Sequence, residues 1–387
     1  FEPLRKVITS MKLRGSWGLV GNDQIGGERF IYMPTINLSG KGFTTGIDQN
    51  YGLSGPVYTR YENNSITWEV GEKINLGIDL QLLNSLNIVV DIFRETRRDI
   101  FQKKGTIPTY LGTGNTDVFG NLAEMKNQGL DLSIDYNKAF SKDFYMNFKG
   151  TFTYAHNEIT KYDEAPKYAF QSKVGQSANV SQGYLSNGLF LDEAEIDRYN
   201  QQMGSTLGAG DIKYLNVSNM HGYGDDIVDV DDWTWIGNPT VPEIVYGFGP
   251  SFKYKNWDFS FFFQGVAKTS LFMSGFHPFG DNSLRNVLQF VANDRWSPTN
   301  QNVDAKYPRL TRKTSLNNTN PGNSGRTSDY WMRDGSFLKL KNAEVGYTFK
   351  GWRFYLSGQN LLTFSPFDYW DPEMGSSNGQ QYPLSKM

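Results

Sequence analysis

The 387-residue chain carries 38 Lys and Arg against 40 Asp and Glu, and a net charge of -2 gives no electrostatic reason to expect a nucleic-acid partner or an anionic surface. With no cysteine it has no disulfide, thiolate metal site or cysteine nucleophile, and its three histidines (His156, His221 and His277) fall in no HxxH spacing, which argues against a zinc enzyme. No run approaches the roughly 18 apolar residues of a transmembrane helix, and the first stretch, FEPLRKVITSMKLRGSW, lacks an apolar signal core.

Alternation of apolar and polar residues is the main signal, and it predicts nine strands in chain order. The first spans about 10–20, with Met11, Leu13, Trp17 and Leu19 on one face and Lys12, Arg14 and Ser16 on the other. The second (66–82) sets Ile74, Leu76, Ile78, Leu80 and Leu82 against Asn75, Asp79 and Gln81. The third (86–101) begins Leu86, Ile88, Val90, Ile92, and the fourth (121–138) sets Leu130, Leu132, Ile134 and Tyr136 against Asp131, Ser133 and Asp135. The fifth (143–158) continues with Phe144, Met146, Phe148, Phe152 and Tyr154. Strands at 243–254, 257–268, 335–349 and 352–362 complete the set; Trp257, Phe259, Phe261 and Phe263 share a face in one, Trp352, Phe354 and Leu356 in another. One helix is predicted, LDEAEIDRYNQQM (191–203), with Asp192 as its N-cap.

The connections alternate as well. Short turns fall near Asn84-Ser85, Ser141-Lys142, Lys255-Asn256 and Lys350-Gly351, whereas long polar stretches occupy roughly 21–65, 102–120, 159–240, 269–334 and 363–387. Alternation alone suits a soluble β-sandwich or a glycan-binding β-module equally well. Short turns at one end, long loops at the other, 15% aromatic residues and a mean hydropathy of -0.52 favour an all-β fold of another kind. That fold is a transmembrane antiparallel β-barrel, of which about nine strands are present, with long extracellular loops.

Several stretches then resemble the SusC/RagA family of TonB-dependent outer-membrane transporters of Bacteroidetes-type bacteria. ITWEVGEKINLGIDLQLLNSLNIVVDIFRETRRDIF (66–101) is similar to a paired family strand motif, and GNLAEMKNQGLDLSI (120–134) to another, with Ala123 at the usual glycine. GDIKY (210–214), IGNPTVPEIVYGFGPSFKYKNWDFSFFFQG (236–265), SDYWMRDGSFLKLKNAEVGYTF (328–349) and YLSGQNLLTFSPFDYWDPE (355–373) follow in family order. The resemblance implies that residues 1–387 form the C-terminal part of a barrel of about 22 strands, without the plug, the TonB box or the last strand, which would begin near YPLSKM. It further implies an outer-membrane location in a Gram-negative cell, a SusD-like lipoprotein lid, energy from TonB, contact with lipid, and an oligosaccharide or peptide substrate. A passive porin, a structural barrel of an envelope complex and a soluble glycan-binding module are the alternatives.

GYGDDIVDVDDWTWIG (222–237) concentrates Asp225, Asp226, Asp229, Asp231 and Asp232. The resemblance implies a calcium-type loop here, within 211–232, because calcium takes several oxygen ligands from alternating carboxylates; the residues themselves equally allow a solvated bend of Asx-turns. No other cofactor is required. Trp233 and Trp235, two apart, share a side if extended, and aromatic rings stack on sugars or apolar side chains. With Trp331, Tyr369 and Trp370 they are the candidate substrate-binding residues, against a reading in which they pack among loop neighbours. The Gly-rich GTGNT (112–116) and LGAGD (207–211) lack a P-loop lysine. Arg94, Arg97 and Arg98 read as a solvated or headgroup-contacting rim. No arrangement of acids, bases and nucleophiles supports catalysis.

Overall fold

The computed structural model describes residues 7–23, 30–108, 117–199, 201–202, 206–273, 288–310 and 327–376. The expected start of a closing strand at 382–387 and the Gly-rich stretch 112–116 lie outside the described residues, as does part of the long stretch 269–334. One antiparallel sheet dominates. Its strands are β1 (Ile8–Asn22), β2 (Glu69–Leu82), β3 (Leu86–Lys103), β4 (Phe119–Ala139), β5 (Phe144–Lys161), β6 (Ile244–Tyr254), β7 (Trp257–Ala267), β8 (Phe337–Phe349) and β9 (Trp352–Phe364). Each pairs with the next in chain order, so the nine-stranded sheet is a continuous meander. The nine predicted strands are therefore present, five of them longer than expected and four slightly shorter.

The register shows why this sequence makes this sheet. One row of partners runs Leu13, Ile78, Val90, Leu132, Phe152, Tyr246, Gly265, Leu338, Phe364. The adjacent row runs Lys12, Asp79, Val89, Ser133, Thr151, Gly247, Gln264, Lys339, Thr363. Successive residues of a strand point to opposite faces, so one face is apolar across nine strands and the other mainly polar. A one-residue slip would exchange the two faces. On the polar face Arg14 binds Asp79 at 2.8 Å and Asp91 at 2.9 Å, tying β1 to β2 and β3.

Among the described residues no second layer covers the apolar face: Leu13 is 69% exposed and Leu356 75% exposed. The tight turns sit at one end. Lys350 (φ 48°) and Gly351 (φ 85°) both occupy the left-handed region between the paired Phe349 and Trp352, as a two-residue hairpin turn with the right twist requires.

The long stretches at the other end are not structureless. A hairpin of Thr35–Thr45 with Tyr51–Arg60 lies where the sequence suggests only a loop. Irregular register, shifted at three places, hides its alternation. The expected helix at 191–203 shrinks to Glu193–Ile196, although Asp192 caps it as predicted, accepting from the Glu195 N–H at 2.8 Å. A four-residue helix gains little from propagation, and Phe190 and Tyr199, stacked edge to face at 5.3 Å, bend the segment back onto its neighbours. Most of the large, fully buried side chains belong to these outer stretches, among them Trp331, Tyr214, Tyr307, Phe190, Leu189 and Ile212.

Candidate functional site

The outer stretches build a cap with its own hydrophobic core. Tyr184, Tyr214, Trp296, Tyr307, Trp331 and Phe367 belong to it, with Trp233, Tyr369 and Trp370 packed against them. Trp331 is 0% exposed, its ring enclosed by protein. Phe367 meets Trp370 edge-on at 4.5 Å, and Tyr369 lies 5.2 Å from Phe290. Four of the five aromatic candidates, Trp233, Trp331, Tyr369 and Trp370, thus serve the cap core. Burial of rings of this size is the main source of cohesion for a segment with little regular structure.

Ion pairs fasten the cap to the polar face of the wall. Lys339 of β8 is fully buried, with its ammonium 2.7 Å from Asp371 and 2.8 Å from Glu373. Lys341 donates to Glu373 as well, at 2.9 Å. Burial alone would raise the Glu373 carboxyl, but hydrogen bonds from Lys339 and Lys341 hold it below the usual range. Arg309 clasps the fully buried Asp211 at 2.6 Å, closing the LGAGD turn on the cap. The sequence signals for these contacts are faint: paired lysines two apart in FLKLKNAEV and an acidic pair in DPEM.

In the acidic stretch the carboxylates are directed at protein donors. Asp229 caps a short 3-10 turn, accepting from the Asp231 N–H at 2.8 Å, while Asp232 returns a bond to the Asp229 N–H at 2.9 Å. Asp232 also accepts from the Ser218 N–H at 2.9 Å and is fully buried, and that burial pushes its carboxyl pKa up. Asp225 accepts from the Ile227 N–H at 3.2 Å and from the Ser218 hydroxyl at 3.3 Å. Asp231 pairs with Lys167. Among the described residues no group of three or more acidic or histidine side chains is arranged to hold a metal ion. Asp226 takes no visible part in this network.

Trp233 and Trp235 line neighbouring cavities and not a single one. The strand Thr234–Ile236 pairs with Ser181–Gly183, and the Trp235 indole donates to the Ser172 carbonyl at 2.8 Å. Trp233 lines a polar cavity of about 680 Å³, and Trp235 an apolar one of about 380 Å³. The two share Tyr162, Lys173 and Gln182 in their walls and so adjoin as two lobes. They lie where the upper ends of β3, β4 and β5 meet the cap. The arginine group sits nearby on β3: Arg97 binds Glu95 at 2.8 Å, and Arg98 reaches Glu72 at 3.6 Å.

An antiparallel meander with an uncovered apolar face, a charged opposite face, tight turns at one end and a folded cap at the other defines the wall of an outer-membrane-type β-barrel. The family profile for "TonB dependent receptor-like, beta-barrel" matches residues 29–361, and the chain belongs to that family. TonB-dependent receptor P3 of Formosa agariphila is 26% identical, over 96% of this chain and 36% of its own length. TonB-dependent receptor SusC of Bacteroides thetaiotaomicron is also 26% identical, over 97% of this chain and 36% of its own. The chain thus spans little more than a third of the curated relatives it matches. Among solved structures, that of the RagAB peptide transporter superposes with a TM-score of 0.66 at 22% identity, covering 98% of this chain and 40% of that one. A second RagAB structure, the peptide importer in its open-open state, gives 0.66 at 20% identity; both likenesses speak to the fold.

Proposed function

We propose that the chain is wall and outer cap of an active nutrient importer of the SusC/RagA type in the outer membrane of a Gram-negative bacterium. The observation that carries the reading is the two-faced sheet. Among the described residues its apolar face has nothing to bury against, and hydrocarbon is the environment that makes such a face favourable. The polar face then looks into the lumen, where the cap folds across the mouth.

In this reading residues 1–387 supply the C-terminal part of the barrel, as the family-like stretches between 66 and 373 imply. A plug and TonB box supplied from outside this stretch would couple the barrel to TonB, and a SusD-like lipoprotein would close over the cap. The cargo is an oligosaccharide or a peptide. The carboxylates of 225–232 brace the cap through hydrogen bonds; a role for calcium at that loop is tested by titrating the metal and following thermal unfolding. Uptake decides the function. An importer of this type loses cargo uptake when TonB is deleted or the proton gradient collapses, whereas a passive pore keeps it. Uptake that persists without TonB would overturn the reading.

A further inference from the structure

The two adjoining lobes have a chemistry that narrows the cargo. In β3, β4 and β5 the polar, lumen-side positions include Asp91, Asp131 and Thr153, yet at the capped end the same face turns apolar at Ile100, Ala123, Met125 and Ile159. Ala123 and Ile159 are nearly enclosed, at 5% and 9% exposure. With Val180 and the side of Trp235 they line the smaller lobe. Of the polar groups in its wall, Ser177 donates to Asn157 at 3.1 Å, Gln182 donates to the Gln171 carbonyl at 2.9 Å and Glu124 pairs with Lys161 at 3.4 Å; the branched and thioether side chains offer a sugar's hydroxyls no partner, and burying unpaired hydroxyls is costly. They do suit an aliphatic side chain, which gains from every carbon removed from water.

The larger lobe carries Lys103, Lys104, Lys167 and Lys173. Lys103 pairs with Asp117 and Lys167 with Asp231. The other two carboxylates at this lobe are already taken by donors. Asp163 accepts from the Gly105 N–H at 2.9 Å and the Thr106 hydroxyl at 3.0 Å, and Glu164 from the Ser172 hydroxyl at 2.7 Å and the Lys173 N–H at 2.8 Å. The Lys173 ammonium lies 4.4 Å over the Tyr162 ring and 3.3 Å from its hydroxyl, a neutral partner. Among the described residues no carboxylate forms an ion pair with Lys104 or Lys173. Two cations therefore face a polar cavity beside an apolar one.

We infer that the two lobes together bind a short acidic peptide, with an aliphatic side chain in the lobe of Ile100, Met125 and Ile159 and its carboxylates toward Lys104 and Lys173. The inference deepens the importer reading, on which it rests for the delivery of cargo to the lumen side. It is tested by calorimetric titration of the purified protein in detergent with acetyl-Glu-Leu-Glu, acetyl-Gln-Leu-Gln, acetyl-Glu-Ala-Glu and tri-galacturonate. The first peptide should bind best. Replacing its leucine with alanine should weaken binding about tenfold or more. Neutralising its acids should weaken it about tenfold, as should K104Q with K173Q in the protein, since two partly exposed ion pairs are lost in either case. Both lysines stand at the cavity surface, so the double variant should keep the wild-type unfolding temperature. Equal binding of tri-galacturonate, an unchanged affinity in the double variant, or no peptide binding would overturn the inference. The importer reading stands or falls separately: TonB-dependent uptake of some other compound would preserve it even if no peptide bound, and peptide binding without TonB-dependent uptake would sink it alone.

Discussion

Lys339 shows how much one side chain can hold when it is taken wholly out of water. Its ammonium is compensated by Asp371 and Glu373, so removing it strands Asp371 against the wall and leaves Glu373 with Lys341 alone. Breaking a buried pair from one side costs about 3–5 kcal/mol. Lys339→Met should therefore free the last outer segment, 365–376, to protease while leaving the sheet's circular dichroism intact; unchanged protection would show that Phe367 and Trp370 anchor the segment by themselves. The same site sets a pH dependence. Glu373 has its folded pKa held below the unfolded value, so its contribution is fully present above the ordinary glutamate range and is lost as pH falls through the folded pKa. Acidification should release this segment, read as a change in Trp370 fluorescence, and Glu373→Gln should remove that acid step. Asp232 works in the opposite sense. Burial raises its folded pKa, so the cap loses stability as pH rises from the ordinary aspartate range through the raised value.

At the scale of elements the acidic stretch behaves as a brace. Asp232→Ala would orphan the buried backbone N–H of Ser218, worth about 1–3 kcal/mol when left unpaired, and the half-buried N–H of Asp229. The expected outcome is faster amide exchange across 216–235 with the exchange of β4 and β5 unaltered, measured by hydrogen–deuterium mass spectrometry. The wall strands were legible in the sequence because each writes its two faces in every second residue, as in Leu130, Leu132, Ile134 against Asp131, Ser133, Asp135. The cap was not, because its contacts join distant segments: Tyr307 with Trp331, Arg309 with Asp211, Lys339 with Asp371. No local period records such pairings. Asp192 was readable as a cap because capping is local; the length of its helix depended on Phe190 and Tyr199 and was not. The two lobes were half legible. Trp233 and Trp235 marked their edges, while Ile100, Met125 and Ile159 look in sequence like ordinary strand residues and become a pocket only where the cap covers the polar face.

For the molecule as a whole, the energetics place cohesion and environment in different parts of the chain. The cap is held by its own buried rings, as in a soluble domain, whereas the wall relies on what lies against its apolar face. Tryptophans report the two regimes separately. Trp17, Trp257 and Trp352 are 65%, 46% and 73% exposed on the apolar side, while Trp296 and Trp331 are 5% and 0% exposed inside the cap. Trp257 and Trp352 lie beside the tight turns and Trp17 toward the capped end, the arrangement of two aromatic girdles at the membrane boundaries. In bilayers containing brominated lipid, single-tryptophan variants retaining Trp17, Trp257 or Trp352 should be quenched, and those retaining Trp296 or Trp331 should not. A charge placed between the girdles tests the same division. Ile78 lies in mid-strand on the apolar face beside Leu13 and Val90, so Ile78→Arg should cost about 2–4 kcal/mol of barrel stability in lipid. Arginine at the neighbouring lumen-side Gln81 should cost far less, and equal penalties at the two positions would mean that the wall does not divide lipid from water.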